Sequence, residues 1–278
     1  MKIIQFTDLH LRGDNLLSFG VADTVQLVAD TMKHFNEMID LPDFFVVTGD
    51  LADNGNLTAY HKIHEYLTQL PRPVYVLPGN HDNRKNMKEI LKEMCPVEEE
   101  MDPYICYSID DQPIRVIVAD TIFEGEHHGG LDEKVALWLE KKLAEQPDKP
   151  TIVFTHHPPL ITGMGKMDEG FLNKERLAEV LNTHKDVRLC CGHMHRPIMT
   201  NWRGIPLMTC PPVAMLIDLN LTPEGGDDFF LADPFYAVHD LTEDGINTHF
   251  CVIPTGASYD GPHPFAYLDA DKKDGTAQ

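Results

Sequence analysis

Short apolar runs that alternate with helical stretches constrain this chain more than any other feature of its sequence. Lys2–Phe6, Phe44–Thr48, Val74–Leu77, Arg115–Val118, Thr151–Phe154 and Val187–Cys191 are four or five residues long and rich in Val, Ile and Phe, the pattern of buried strands. Between the first two, Val21, Val25, Val28, Met32, Phe35 and Ile39 recur at a 4-3-4-3-4 spacing, which predicts one apolar helical face. Further helices are expected over about residues 58–70, 84–94, 132–145 and 173–181. A strand–helix–strand order needs crossovers, so the expected class is α/β with parallel strands. Beyond His195 the pattern breaks at Pro206, Pro211, Pro212, Gly225-Gly226 and Asp227-Asp228, so residues 196–237 are expected to make strand and loop excursions forming a small C-terminal cap. A hairpin is predicted from 236–240 and 248–253, turning at Glu243-Asp244-Gly245. The division expected is a core over 1–200, a cap and closing strands of the same domain over 201–267, and a disordered tail over 268–278.

The carboxyl ends of five of these runs carry metal-capable side chains. Phe6 leads to Asp8 and His10, Thr48 to Gly49-Asp50, Leu77 to Gly79-Asn80-His81-Asp82, Phe154 to His156-His157, and Cys191 to Gly192-His193-Met194-His195. Open α/β sheets bind ligands outside their carboxyl strand ends, so groups nearly 190 residues apart in sequence can converge there. Carboxylate, imidazole and carboxamide donors suit Fe, Mn, Co or Zn, and no Cys is placed to make a softer thiolate site. Gly49, Gly79 and Gly192 precede ligand positions on sharp turns, where a missing Cβ permits positive φ and close approach.

Lys plus Arg total 23 against 44 Asp plus Glu, a net charge of −21 that repels nucleic-acid polymers and anionic membranes. No apolar run nears the ~18 residues a membrane span needs. The first strand begins at Lys2, leaving no room for a signal peptide, and the expected location is the cytoplasm. Six cysteines without a CxxC read as reduced core thiols.

Asp8-x-His10, Gly49-Asp50-x-x-Asp53, Gly79-Asn80-His81-Asp82, His156 and Gly192-His193-x-His195, in that order, resemble the calcineurin-like metallophosphoesterase superfamily. Within it the chain is most similar to bacterial class III cyclic nucleotide phosphodiesterases and related glycerophosphodiesterases, through its DxH motif and His156-His157-Pro158-Pro159. The resemblance implies a four-layer α/β/β/α sandwich. It also implies two metal ions, one on Asp8, His10, Asp50 and His195, the other on Asp50, Asn80, His156 and His193, with Asp50 bridging. The implied activity is hydrolysis of a small phosphodiester, either a 3',5'-cyclic nucleotide or a glycerophosphodiester, by metal-activated hydroxide attack on phosphorus. His81 is the candidate for stabilising the transition state or protonating the leaving oxygen, and Asp82 for orienting its ring. His157 is open between a supporting and a structural role, and Asp53 between a functional position and an ordinary turn residue.

The other histidines, His127 among them, read as structural or solvent-facing. Purple acid phosphatases are expected to carry Tyr where Asp53 stands, and Ser/Thr protein phosphatases Arg where Asn54 stands; both readings are disfavoured. A broad-range phosphomonoesterase and a catalytically silent scaffold are the competing readings. Substrate choice is expected to lie in loops near 11–19, 124–130, 164–171 and 211–234. Relatives form dimers or higher assemblies, and Phe229, Phe230, Leu231 and Phe235 are the candidate apolar patch for a homo-oligomer.

Overall fold

A computed structural model describes residues 1–256 and 259–265; the expected tail over 268–278 lies outside the described residues. In chain order the strands begin with β1 Lys2–Phe6, β2 Phe44–Thr48, β3 Val74–Leu77, β4 Tyr107–Ile109, β5 Arg115–Val118, β6 Gly129–Gly130, β7 Thr151–Phe154 and β8 Phe171–Leu172. They continue with β9 Val187–Cys191, β10 Ile198–Trp202, β11 Ile205–Thr209, β12 Leu216–Ile217, β13 Asp228–Leu231, β14 Phe235–Thr242, β15 Gly245–Val252 and β16 Asp260–Pro264. The helices are α1 Thr24–Asn36, α2 Leu57–Leu67, α3 Arg84–Ile90, α4 Glu133–Glu145 and α5 Lys174–Leu181.

Two mixed sheets stack on each other, in the orders β15-β14-β1-β2-β3 and β10-β11-β9-β7-β5-β4. Their central strands run parallel, as the crossover pattern requires, while hairpins supply the antiparallel edges. Strand alternation explains the layers. Phe6 on β1 turns to α1, its ring 5.2 Å from Phe35, whereas Gln5 turns to the second sheet and donates to Cys191 O at 3.0 Å. On the second sheet Val116, Val118, Ile152 and Phe154 join the core shared with the first sheet. Ile117, Val153 and Leu189 instead pack with Trp138 and Leu139 of α4 and Leu177 of α5. Helices therefore flank the sheet pair, giving the expected α/β/β/α order.

Side-chain caps fix where four helices start: Asp23, Asn56, Asn83 and Asp132 each accept a backbone N–H from the first turn. The cap at Asp23 shortens the helical face expected from Val21 to Ile39. Val28, Met32 and Phe35 are buried, but Val21 precedes the helix and Ile39 lies past its end, fully exposed. The helix expected over 84–94 stops at Ile90 and resumes as a 3₁₀ turn at Lys92–Met94.

The expectation for residues 196–237 needs correction. Ile198–Trp202 and Ile205–Thr209 form a hairpin whose second strand pairs in parallel with β9, so the second core sheet continues to Thr209. Only the segment after it makes a separate small antiparallel sheet, β12-β13-β16. Phe229 on that sheet is fully buried against Phe19 and Phe265 and is removed from the candidate surface patch. The predicted hairpin forms as β14–β15, longer than expected, with Thr242 paired to Gly245 at φ +115°.

His239 of β14 faces Gln5 Oε1 at 3.1 Å and Thr248 Oγ1 at 2.9 Å, between the sheets. Burial pushes its pKa down to about 3, with a smaller push from Arg188. A ring neutral in the fold and protonated when unfolded contributes stability above pH 6.5 that is lost as pH falls towards 3. The limiting slope is about 1.4 kcal/mol per pH unit for one proton. Urea unfolding of His239→Gln should therefore show a flatter loss of stability across that window than the parent chain, and identical slopes would refute the linkage.

Candidate metal centre

The carboxyl ends of β1, β2 and β3 in one sheet and of β7 and β9 in the other deliver the seven side chains to one place. Asp8, His10, Asp50 and His195 are buried, and their ligand atoms lie within 4.8 Å of one another. Asn80 Oδ1 lies 3.1 Å from both His156 Nε2 and His193 Nδ1. Asp50 Oδ2 stands between the groups, 3.6 Å from His10 Nε2 and 3.3 Å from His156 Nε2.

Backbone carbonyls aim the rings. His156 Nδ1 sits 2.9 Å from Thr48 O, and His195 Nδ1 sits 2.7 Å from Met215 O. Each contact assigns the ring proton to Nδ1 and leaves the Nε2 lone pair facing the centre. His10 Nδ1 faces Asp53 Oδ1 at 3.4 Å, which gives Asp53 a place in the site and ends its reading as a plain turn residue. Asp8 Oδ2 is buried with no hydrogen-bond partner among the described residues. A buried carboxylate oxygen without a partner, set among converging imidazole nitrogens, is costly unless a cation joins them, so the residues fit bound metal.

The electrostatics carry the same imprint. Burial disfavours charge on His156, yet Asp50 outweighs it and raises the ring to about 9. Burial likewise opposes the Asp50 anion, but His156, His81 and His10 bring its pKa well below the usual carboxylate range. His193 is driven well below the ordinary imidazole value by burial and by His156.

Five of the seven take left-handed backbone: Asp8 (φ 55°), His10 (43°), Asp50 (48°), His193 (68°) and His195 (48°). Non-glycine residues adopt this region only where surrounding bonds impose it. Here Asp8 N donates to Gly49 O at 3.1 Å, His10 N to Asp50 O at 3.0 Å and Gly192 N to His156 O at 2.9 Å. The glycine expectation divides accordingly. Gly49 is left-handed at φ +95°, whereas Gly79 and Gly192 serve close approach alone: a Cβ on them would meet Asp50 Oδ1 at 2.1 Å and Thr7 Oγ1 at 2.2 Å.

Asp82 does not play the part expected of it. Its carboxylate accepts from the backbone N–H of Gly79 (2.9 Å), Leu51 (3.1 Å) and Ala52 (3.1 Å) and from the Tyr60 hydroxyl (2.8 Å), clamping the two loops that carry Asp50 and Asn80. The His81 ring is set by Asp53 O, 2.9 Å from Nδ1, and its backbone N–H donates to Asp50 Oδ1 at 2.9 Å. His157 supports the site from outside: Thr121 Oγ1 and His127 O occupy its two ring nitrogens, both at 3.1 Å.

A cleft of about 310 Å³ opens over the centre, lined by His81 and Asn80 and by His127, Glu169, Phe19 and Phe265. His127, expected to be structural or solvent-facing, has its ring 5.9 Å from His81. Glu169 lies in a loop expected to govern substrate choice, but nothing in the sequence singled out that residue. Burial and Asp50 raise its carboxyl to about 7.

The sequence pattern of calcineurin-like phosphoesterases matches residues 1–197, and the chain belongs to that family. It is 35% identical over 269 residues to a protein of Arcobacter nitrofigilis named probable glycerophosphodiester phosphodiesterase, covering 95% of this chain and 97% of that one. A 3',5'-cyclic adenosine monophosphate phosphodiesterase of Escherichia coli is 32% identical over 216 residues, 76% of this chain and 75% of its own. An anchor protein of the Plasmodium inner membrane complex shares the fold at TM-score 0.63 and 15% identity, over 100% of this chain and 95% of that one.

Asn80→Ala should lower the metal bound per chain while the Asp8–His10–Asp50–His195 set is kept, as read by elemental analysis. Undiminished metal content would contradict the assignment. Because a ligand imidazole must be neutral, the proton on His156 competes with metal, so apparent affinity should strengthen as pH rises towards about 9. Isotherms that coincide at pH 6.5 and 8 would contradict that competition.

Proposed function

We propose that this chain is a binuclear metal-dependent phosphodiesterase acting on small diesters, a 3',5'-cyclic nucleotide or a glycerophosphodiester. The observation that carries this reading is the Asp50 carboxylate facing His10 and His156 at once, with the remaining donors divided around it. One ion is assigned to Asp8, His10, Asp50 and His195 and the other to Asp50, Asn80, His156 and His193, both drawn from Fe, Mn, Co and Zn. When bound, such a pair supplies Lewis acidity at the phosphoryl oxygens and an activated water for in-line displacement.

The chain's own groups do the rest. Asp50 holds the two halves of the site in register. His81, with Nδ1 against Asp53 O, presents its other edge to the cleft, where Nε2 delivers a proton to the departing alkoxide. Asp82 acts at one remove, keeping Asn80 and Asp50 in place through backbone amides. The names of the two bacterial relatives support a diester substrate, and the intact set of donors speaks against a silent scaffold.

A catalytic core over residues 1–200 with the cap and closing strands of the same domain over 201–267 is part of this proposal, the β10–β11 hairpin crossing that boundary at the edge of the second sheet, as are a cytoplasmic location and a homo-oligomer. Among the described residues no helix is long and apolar enough to cross a membrane.

Metal-loaded protein is expected to cleave bis(p-nitrophenyl) phosphate with a higher kcat/KM than p-nitrophenyl phosphate; a clear monoester preference would sink the reading. His81→Ala should lower kcat roughly 10²–10⁴-fold for alkyl leaving groups and less for p-nitrophenolate, which departs unprotonated. An equal loss on both would remove the acid role.

A further inference from the structure

The cleft wall built by residues 161–172 is held firmly. Asp168 accepts from Thr162 N, Thr162 Oγ1 and Gly163 N, all at 2.8 Å. Lys166 N donates to Gly225 O at 3.0 Å, and Lys166 Nζ pairs with Asp227 at 2.6 Å. A Cβ on Gly226 would fall 1.9 Å from Met164 O, so the neighbouring loop lies flush against this one.

That scaffold presents Glu169 to the cleft. Among the described residues no hydrogen bond reaches its carboxylate. The nearest charged or titratable partner is His193 Nε2 at 3.7 Å, beyond hydrogen-bond length, and a third of the side chain is exposed. Besides the histidines His10, His81, His127, His193 and His195, the cleft's ionisable lining groups are Asp50, Lys166, Glu169 and Asp227. Asp50 belongs to the metal centre and Lys166 is neutralised by Asp227, which leaves one unmatched carboxylate in the space where an ester arm must lie. Two phenyl rings share that space. Phe265 lies 4.2 Å from Phe19 and 5.7 Å from His195, and aromatic faces attract alkylammonium groups as well as apolar ones.

The geometry points to Glu169 as a specificity-determining residue that selects the charge of the substrate's ester arm, favouring an ammonium-bearing arm, accepting an uncharged one and rejecting an anionic one. This rests on the phosphodiesterase reading for its use in catalysis, though not for the binding preference itself. The selection works in both directions, since an added anion beside Glu169 is repelled while an ammonium gains a charge-assisted contact in a partly enclosed site.

Binding of three phosphate esters to metal-loaded protein at pH 8, with the Glu169 carboxyl ionised, tests the proposal: phosphoethanolamine with an ammonium arm, glycerol 1-phosphate with an uncharged one, and phosphoglycolate with a carboxylate. The expected order of affinity by calorimetry is ammonium, uncharged, carboxylate, with about tenfold between the first two. In Glu169→Gln that gap should close to within about threefold at unchanged metal content, and Glu169→Asp should keep the order. Equal affinities, no measurable binding of the ammonium ester, or a preference that survives Glu169→Gln overturns the proposal. Loss of metal in Glu169→Gln also overturns it, because the residue would then be a support for His193. Turnover of glycerophosphoethanolamine against glycerophosphoglycerol is read on the same proteins. Absence of any diester turnover counts against the proposed function, while the order of binding still decides the role of Glu169.

Discussion

Asp50 Oδ2 faces an imidazole from each sheet, His10 at 3.6 Å and His156 at 3.3 Å, and much of the surrounding backbone follows from that placement. A carboxylate can reach both rings only where the strand ends close tightly. Gly49 turns left-handed just before it, and Gly79 carries no Cβ because one would strike its oxygen. Left-handed non-glycine residues cost of order 1–3 kcal/mol each, and five ligand positions adopt that conformation. The amide-to-carbonyl bonds between the 8–11 and 49–51 loops and the Asp82 clamp over-determine it. Fold and site are coupled here: the sheet pair brings the loops together, and the loops keep donors converging that would otherwise repel or remain unpaired.

The clustering of donors was legible in the sequence because its cause is local. A buried parallel strand shows as a short β-branched run, and the residue after its carboxyl end is the residue that faces the crevice. All six predicted strands form at their expected bounds for that reason. What was not legible depends on pairing across long distances. The hairpin at Ile198–Thr209 looks irregular along the chain, with Pro206 within it, yet it extends the second sheet through its partnership with β9. Ile39 fits a helical spacing, but the chain has left the helix before reaching it.

Roles of individual polar residues were hidden for a related reason. Asp82 adjoins His81 in sequence, which made it a natural partner for that ring. In the fold, adjacent side chains diverge, and its carboxylate instead gathers three amides and the Tyr60 hydroxyl from elsewhere. His127 and Glu169 lie in loops without periodicity, so only tertiary placement distinguishes them from the solvent-facing His and Glu residues around them. His157 is the converse case: it adjoins a candidate ligand, but both its ring nitrogens are engaged by Thr121 and the His127 carbonyl, and it anchors the loop that brings His127 to the cleft.

The site thus combines a rigid, metal-suited floor with a wall whose charge and aromatic rings face the rest of the substrate. The role proposed for Asp50 is to join two ions, one on each set of donors. Anomalous diffraction from crystals grown with Mn or Zn tests it most directly. Two peaks are expected, both in contact with the Asp50 carboxylate, one shared with His10 and His195 and the other with Asn80, His156 and His193. A single peak, or two peaks of which only one touches Asp50, would contradict it.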